Sequence, residues 1–157
     1  MGEAKEISAM RYLADTVRIE ASPQRVWEWL IHLAEHYREW HPDHVTAEWV
    51  RGKPNRVGSI LEVIESLDGH RERLRFELTR TDPPALYEYR IRGAIGALLP
   101  NGSFVIESDK TGCVFTAKIA YRFGALTEWL FRSRMRALQV HQEEEGLNLK
   151  RILERPS

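Results

Sequence analysis

Two segments of this chain carry side chains whose types and spacing could do chemistry. "HQEEE", residues 141–145, sets a histidine and a glutamate four residues apart, and "HLAEHYREWHPDH" holds His32, His36, His41 and His44. Each residue of a helix advances about 100° around the axis. Leu138, His141, Glu145, Leu149 and Ile152 therefore share one stripe, the spacing of a core-facing side, while Glu143 and Glu144 point toward solvent. Burying an unpaired carboxylate costs several kcal/mol or forces it to take up a proton. Three arrangements relieve that cost. His141 and Glu145 can pair with each other or with an arginine, can sit wet at a cavity mouth, or can share one metal ion, because residues i and i+4 are neighbours on a helix.

The second segment contains "HLAEH", the H-x-x-E-H pattern of inverted zinc proteases. That reading fails on periodicity. The apolar stripe of this helix is Val26, Leu30, Leu33, Tyr37 and Trp40, so His32 and His36 fall at or beyond its edge and are expected to face water. "WHPDH" is different: it ends a helix and opens a strand, a position from which His41 or His44 can reach a cavity. The plainer reading makes both loop histidines, one of them capping the helix end.

The elements that must position these groups follow from turn and capping signals. "RYLADTVRIEAS" reads as a first strand, and "SPQRVWEWLIHL" as a helix with Ser22 as N-cap and Pro23 at its first position. The helical pattern continues through Tyr37 and Trp40, stops before Pro42 and is expected to break into two short helices. Short strand candidates follow: "VTAEWVRG", "GSILEVIESLDG", "HRERLRFELTRT", "ALYEYRIRG", "SFVIES" and "CVFTAKIAYRF". The separating turns "LDG", "DPP", "PNG" and "DKTG" favour an antiparallel meander. "GAIGALLPNGS" is either a lid over a pocket or an irregular hairpin. The last segment, "ALTEWLFRSRMRALQVHQEEEGLNLKRILE", reads as one long helix. Strand, helices, many strands and a long helix make an α+β pattern.

At 157 residues the chain fits a single domain, residues 1–157, with a sizeable core. Lys plus Arg and Asp plus Glu number 23 each, so the net charge gives no footprint for nucleic acid or an anionic membrane, although a local basic patch stays possible. The single cysteine, Cys113, lies in a strand-like run and reads as a small buried hydrophobe. The N-terminal stretch carries acids without an apolar core, so no secretory leader is expected, no run is long enough to span a bilayer, and a cytoplasmic location follows by default.

The first strand, "SPQRVWEWL", "YREWHP", the meander and the terminal helix together resemble the START-like or SRPBCC superfamily over nearly the whole chain. The resemblance implies a helix-grip fold, in which the terminal helix lies across a curved antiparallel sheet and encloses a cavity for a small apolar or aromatic ligand. "WHPDH" with "HQEEE" is similar to one branch, the diacetylphloroglucinol hydrolases and their small relatives. That likeness implies zinc held by His44, a sheet glutamate, His141 and Glu145. Of Glu62 and Glu65, which point to opposite faces of a strand, Glu65 is favoured as the ligand. His41 and Glu62, left unligated, are the candidates for acid–base roles. The implied activity is a zinc-dependent hydrolase of a phenolic or ketonic compound. The same ligand set suits Fe(II), as two histidines and a carboxylate do in non-haem oxygenase sites, but the resemblance points to zinc, and this chain is shorter than those hydrolases, which leaves the substrate open. The competing expectations are a metal-free carrier or sensor and a polyketide cyclase or dehydratase.

Overall fold

The computed structural model describes residues 10–156. Residues 1–9, on which the expectation about a leader largely rests, lie outside them. Nine-residue β1 (Arg11–Ile19) leads into α1 (Pro23–Ile31) and α2 (Leu33–Trp40). Ser22 caps α1 as its sequence suggests: its hydroxyl accepts the Arg25 N–H at 3.2 Å, and Pro23 occupies the first turn. The two helices part at His32, whose backbone leaves helical geometry and whose ring Nδ1 bonds the Glu28 carbonyl at 2.8 Å. His36 stacks on Trp29 at 5.8 Å between ring centroids. Both histidines are half-buried rather than fully solvated, and neither approaches the site described below.

Six further strands form the meander: β2 (His44–Arg51), β3 (Ile60–Leu67), β4 (His70–Asp82), β5 (Leu86–Ile91), β6 (Asn101–Ser108) and β7 (Cys113–Tyr121). All seven build one antiparallel sheet in the order β1-β7-β6-β5-β4-β3-β2. The predicted "LDG" turn joins β3 to β4 with both Asp68 (φ 51°) and Gly69 (φ 74°) in the left-handed region, the signature of a tight hairpin. "GAIGALLP" forms a short 3-10 helix, Ala94–Ala97, whose Ile95 and following Leu99 line the central cavity.

The terminal segment is two helices, not one. α3 (Ala125–Leu130) ends at Phe131, and α4 runs over Arg132–Glu154. The break falls at Phe131, whose backbone leaves helical geometry and whose ring stacks on buried Phe123, 5.9 Å between centroids. α4 lies across the sheet over β1. Gly146 makes that approach possible, since a Cβ there would come within 2.6 Å of Asp15 Oδ2. The core between helices and sheet contains Ile19, Val26, Leu149 and Phe115, together with Cys113 in the apolar role expected for it. This is the helix-grip arrangement. Among the described residues no helix is long and apolar enough to cross a membrane.

Candidate functional site

Strand register sets the first half of the site. His44 opens β2 directly opposite Glu65 of β3, so both side chains stand on the cavity face of the sheet. Leu61 and Val63 alternate with them on that face and are buried. Glu62 belongs to the other face. There it pairs with Arg75 across the β3–β4 ladder, Arg75 Nε donating to Glu62 Oε2 at 2.7 Å. The acid–base role expected for Glu62 is therefore corrected: its carboxylate sits on the outside of the sheet, engaged by a guanidinium, and cannot reach the cavity.

α4 supplies the second half. The Trp40 indole N–H donates to the Glu145 carbonyl and the Asn148 amide donates to the Trp40 carbonyl, both at 3.0 Å, which clamps α2 to α4 beside the site. Under this clamp His44 Nε2 lies 3.2 Å from His141 Nε2 and 2.9 Å from Glu145 Oε1, and His141 Nε2 lies 3.3 Å from the same oxygen. Glu65 Oε2 stands slightly further out, 3.8 Å from His44 Nε2. Both histidines are buried, and the Glu145 carboxylate is largely covered.

The surrounding groups fix the protons. His44 Nδ1 contacts the Tyr37 carbonyl at 2.8 Å, and since a carbonyl only accepts, that nitrogen carries a hydrogen. Tyr37 also stacks flat on His44 (3.9 Å, 5°) and donates its hydroxyl to Glu65 Oε2 at 2.7 Å. Burial pushes the Tyr37 phenol far up, so it remains a donor. Burial likewise pushes Glu65 up, reinforced by the nearby Glu145 charge. Burial alone would do the same to Glu145, but hydrogen bonds from His141 and His44 outweigh it and hold its carboxyl at about 2. His141 shows the reciprocal effect: burial opposes its charge, yet Glu145 raises it overall.

The ring nitrogens of His41, His44 and His141 lie within 4.8 Å of one another, a grouping able to hold a metal ion. The hydrogen bonds separate its members. His41 Nδ1 accepts the Asp43 N–H at 3.0 Å and its Nε2 meets Glu144 Oε2 at 2.7 Å, which occupies both nitrogens. His44 and His141 keep their Nε2 atoms turned toward Glu145. Glu144, expected to be merely solvated, is exposed but reaches back to orient His41.

A cavity of about 120 Å³ opens beside these groups. Its wall is mostly apolar, with Leu74, Phe76, Tyr89 and Phe104 from the sheet and Leu138 from α4, and Glu65, His141 and Glu145 form its polar end. Tyr37 lines it too, whereas His41 does not. Two further liners, Trp49 and Gln142, each carry a buried atom without a hydrogen-bond partner among the described residues: Trp49 Nε1 and Gln142 Oε1. The Gln142 amide nitrogen donates to the Ala117 carbonyl at 3.0 Å, which fixes which way its oxygen turns. Tyr37 and Gln142 are the site residues that sequence reasoning missed. Tyr37 reads in the sequence as one more member of the apolar stripe, and Gln142 lies one position off the predicted stripe of α4.

Comparisons with known proteins agree on the architecture. The two-domain ARO/CYC protein BexL from the BE-7585A biosynthetic pathway superposes with a TM-score of 0.77 at 16% identity, covering 97% of this chain and 52% of that one. TTHA0849 from Thermus thermophilus gives 0.74 at 14% identity, covering 91% and 97%. Ara h 8.0201 gives 0.63 at 16% identity, covering 90% and 99%. At such identities the likeness shows the shared fold alone. No curated protein matches the sequence. The model of one family, described as polyketide cyclase / dehydrase and lipid transport, matches residues 10–154. With its long helix across an antiparallel sheet and an apolar cavity between them, the chain belongs to that family, within the wider SRPBCC superfamily.

Proposed function

We propose that this chain is a metal-dependent, hydrolase-like enzyme acting on a small apolar or phenolic carbonyl compound, with a zinc site formed by His44, His141, Glu145 and Glu65. One observation carries the reading. Ligands bound tetrahedrally about 2.0–2.1 Å from a zinc ion stand about 3.3 Å from each other. The triangle of His44 Nε2, His141 Nε2 and Glu145 Oε1 has edges of 3.2, 2.9 and 3.3 Å. The donor set fits in type as well, with two imidazoles, one ionised carboxylate and a second carboxylate one step out. Tyr37 supplies the outer support that ligating histidines ordinarily have, through the His44 Nδ1–H bond to its carbonyl. Among the described residues buried His141 Nδ1 lacks a hydrogen-bond partner, with Asp43 Oδ2 at 3.8 Å the acceptor it faces.

A zinc ion here would polarise a substrate carbonyl and lower the pKa of a bound water toward neutrality. The chain's own residues do the rest. The apolar wall takes the hydrocarbon part of the substrate and excludes bulk water. Tyr37 holds Glu65 in place and, as the cavity-lining hydroxyl bonded into the centre, takes over the proton-handling role expected of His41 and Glu62. His41, held between Asp43 and Glu144, packs its ring 4.1 Å from that of His141 and positions it.

The second reading is a metal-free cyclase or dehydratase, favoured by the family match and by a buried Glu65, its pKa pushed up by burial, lining the cavity beside Tyr37. Metal content decides between them. Mass spectrometry of the purified protein should find on the order of one zinc per chain, lost in the His141→Ala, Glu145→Ala double variant. Protein without stoichiometric metal, after zinc is supplied during purification, would exclude the hydrolase reading and leave the cyclase or a carrier.

A further inference from the structure

The three most exposed large hydrophobic residues described are neighbours on α3: Leu126 (72% exposed), Trp129 (65%) and Leu130 (60%). Their spacing of three and one puts them on a single side of a short helix, and among the described residues nothing covers them. Isolated apolar residues on a surface are ordinary, but a contiguous group with an indole at its centre is an interaction site.

The charges around the patch identify what it would meet. Arg122 lies just before α3, and Arg132 and Arg136 follow it on one side of α4, four residues apart. All three are exposed, and none forms an ion pair among the described residues. The acid on α3 itself, Glu128, is already engaged by Arg11 at 2.7 Å. Arg134, also nearby, is tied to Glu72 of β4. Arg136 lines a groove that also holds Asp43, Asp68 and Glu144, so the balance next to α3 is a tryptophan–leucine surface with Arg122 before it and Arg132 after it, neither ion-paired among the described residues, in a protein whose overall charge is zero. A second copy of the chain would set these arginines against each other wherever the patches meet about a twofold axis. An anionic bilayer complements them, since arginines meet the headgroups while Trp129 and the leucines enter the interfacial layer.

We infer that α3 and the first turns of α4 form a docking surface for an anionic lipid membrane, bound peripherally and not spanned. The surface sits close to the cavity, because Leu138 lies two residues beyond Arg136 on α4 and lines it, and the Arg134–Glu72 pair links α4 to the cavity-lining β4. Docking would place the apolar pocket beside the medium in which apolar molecules dissolve.

The test is sedimentation of the full chain with two kinds of vesicle, phosphatidylcholine alone and phosphatidylcholine with about one third phosphatidylglycerol, at low and high salt. Binding to the anionic vesicles, weak or absent on the neutral ones and reduced by salt, is the expected result. The Trp129→Ser, Leu130→Ser variant and the Arg132→Glu, Arg136→Glu variant should each lose about tenfold in vesicle affinity. A Val57→Ser variant, altered at an exposed apolar residue elsewhere, should keep it. Trp129→Phe removes the one indole on α3, so the blue shift of tryptophan emission on vesicle binding should disappear in that variant. Absence of wild-type binding to anionic vesicles overturns the inference. Binding unaltered in both double variants overturns it as well, and so does a dimer in solution that the serine variant dissolves. If the serine variant does not fold, the arginine variant, altered only at exposed side chains, decides alone.

Discussion

Glutamates stand on both faces of this sheet, and the two faces treat them in opposite ways. On the outer face Glu62 accepts from Arg75 at 2.7 Å, and Glu77 accepts from Arg90 at 2.7 Å and Arg92 at 2.8 Å. Arg90, with support from Arg92, holds the Glu77 carboxyl below its ordinary range. On the cavity face Glu65 has a phenol and imidazoles for neighbours, and burial pushes it up. Glu145, facing it from α4, stays ionised only because two histidines share its oxygen. A guanidinium fills a carboxylate's lone pairs with fixed hydrogens and leaves nothing to give a ligand. Imidazoles bring exchangeable protons that an ion can replace. The outer glutamates thus serve the ladder they belong to, and the inner ones are available for chemistry.

The largest effect that separates the faces is the response to metal. Zinc at about one hundred times its dissociation constant should stabilise the wild-type protein by about 2.7 kcal/mol, roughly 5 to 10 °C in Tm. Glu62→Gln and Glu77→Gln should retain that shift, whereas the His141→Ala, Glu145→Ala variant should lose it in the same thermal scan. Retention of the shift in the α4 variant, or its loss on changing an outer glutamate, would reverse the assignment of the two faces.

How much of this was legible in the sequence depends on which interaction sets each position. The pairing of His141 with Glu145 follows from helical period alone, and so was readable before any packing was known. Ser22 and the "LDG" turn are likewise local chemistry, and both stand where they were expected. The choice between Glu62 and Glu65 was not local. Ile60, Glu62 and Ile64 alternate with Leu61, Val63 and Glu65, so both faces of β3 carry apolar residues, and only pairing with His44 shows which is inward. The break between α3 and α4 left no glycine or proline to read; it falls at Phe131, whose ring stacks on Phe123 from outside both helices. Tyr37 looked apolar because a phenol fits the same stripe as a leucine; its hydroxyl acquires meaning only when β3 brings Glu65 within 2.7 Å. Motif resemblance pointed to His44, but the hydrogen bonds that occupy both nitrogens of His41 exist only in the folded chain.

A smaller effect comes from removing one partner on each face. Tyr37→Phe deletes the hydroxyl that satisfies Glu65 while keeping the ring stacked on His44. A buried carboxyl deprived of its donor should cost about 1–3 kcal/mol, visible in urea denaturation as a lower midpoint with an unchanged slope. Arg75→Met on the outer face removes an arginine that is more than half exposed, and it should change stability by no more than about 0.5 kcal/mol. Equal losses in the two variants would mean that Glu65 is as well solvated as Glu62, and the contrast between the faces would collapse.

The smallest expected effect is a pH dependence on the outer face. The Glu77 carboxyl is lowered by Arg90 first and Arg92 after it, so the folded chain binds its proton less readily than the unfolded chain does. Stability from this group is therefore fully present above the unfolded value and is lost as pH falls through the folded one. The loss begins near about pH 5 and should amount to less than about 1 kcal/mol, because both arginines are half exposed and solvent screens the pairs. Glu77→Gln should lie slightly below wild type at neutral pH and converge with it in acid, when stability is followed by urea midpoints from pH 7 to pH 3. Salt should shrink the gap at neutral pH, as it does for any exposed pair. A gap that instead widened in acid would mean that the carboxyl is pushed up as Glu65 is, and that burial rather than the guanidinium governs the outer face too.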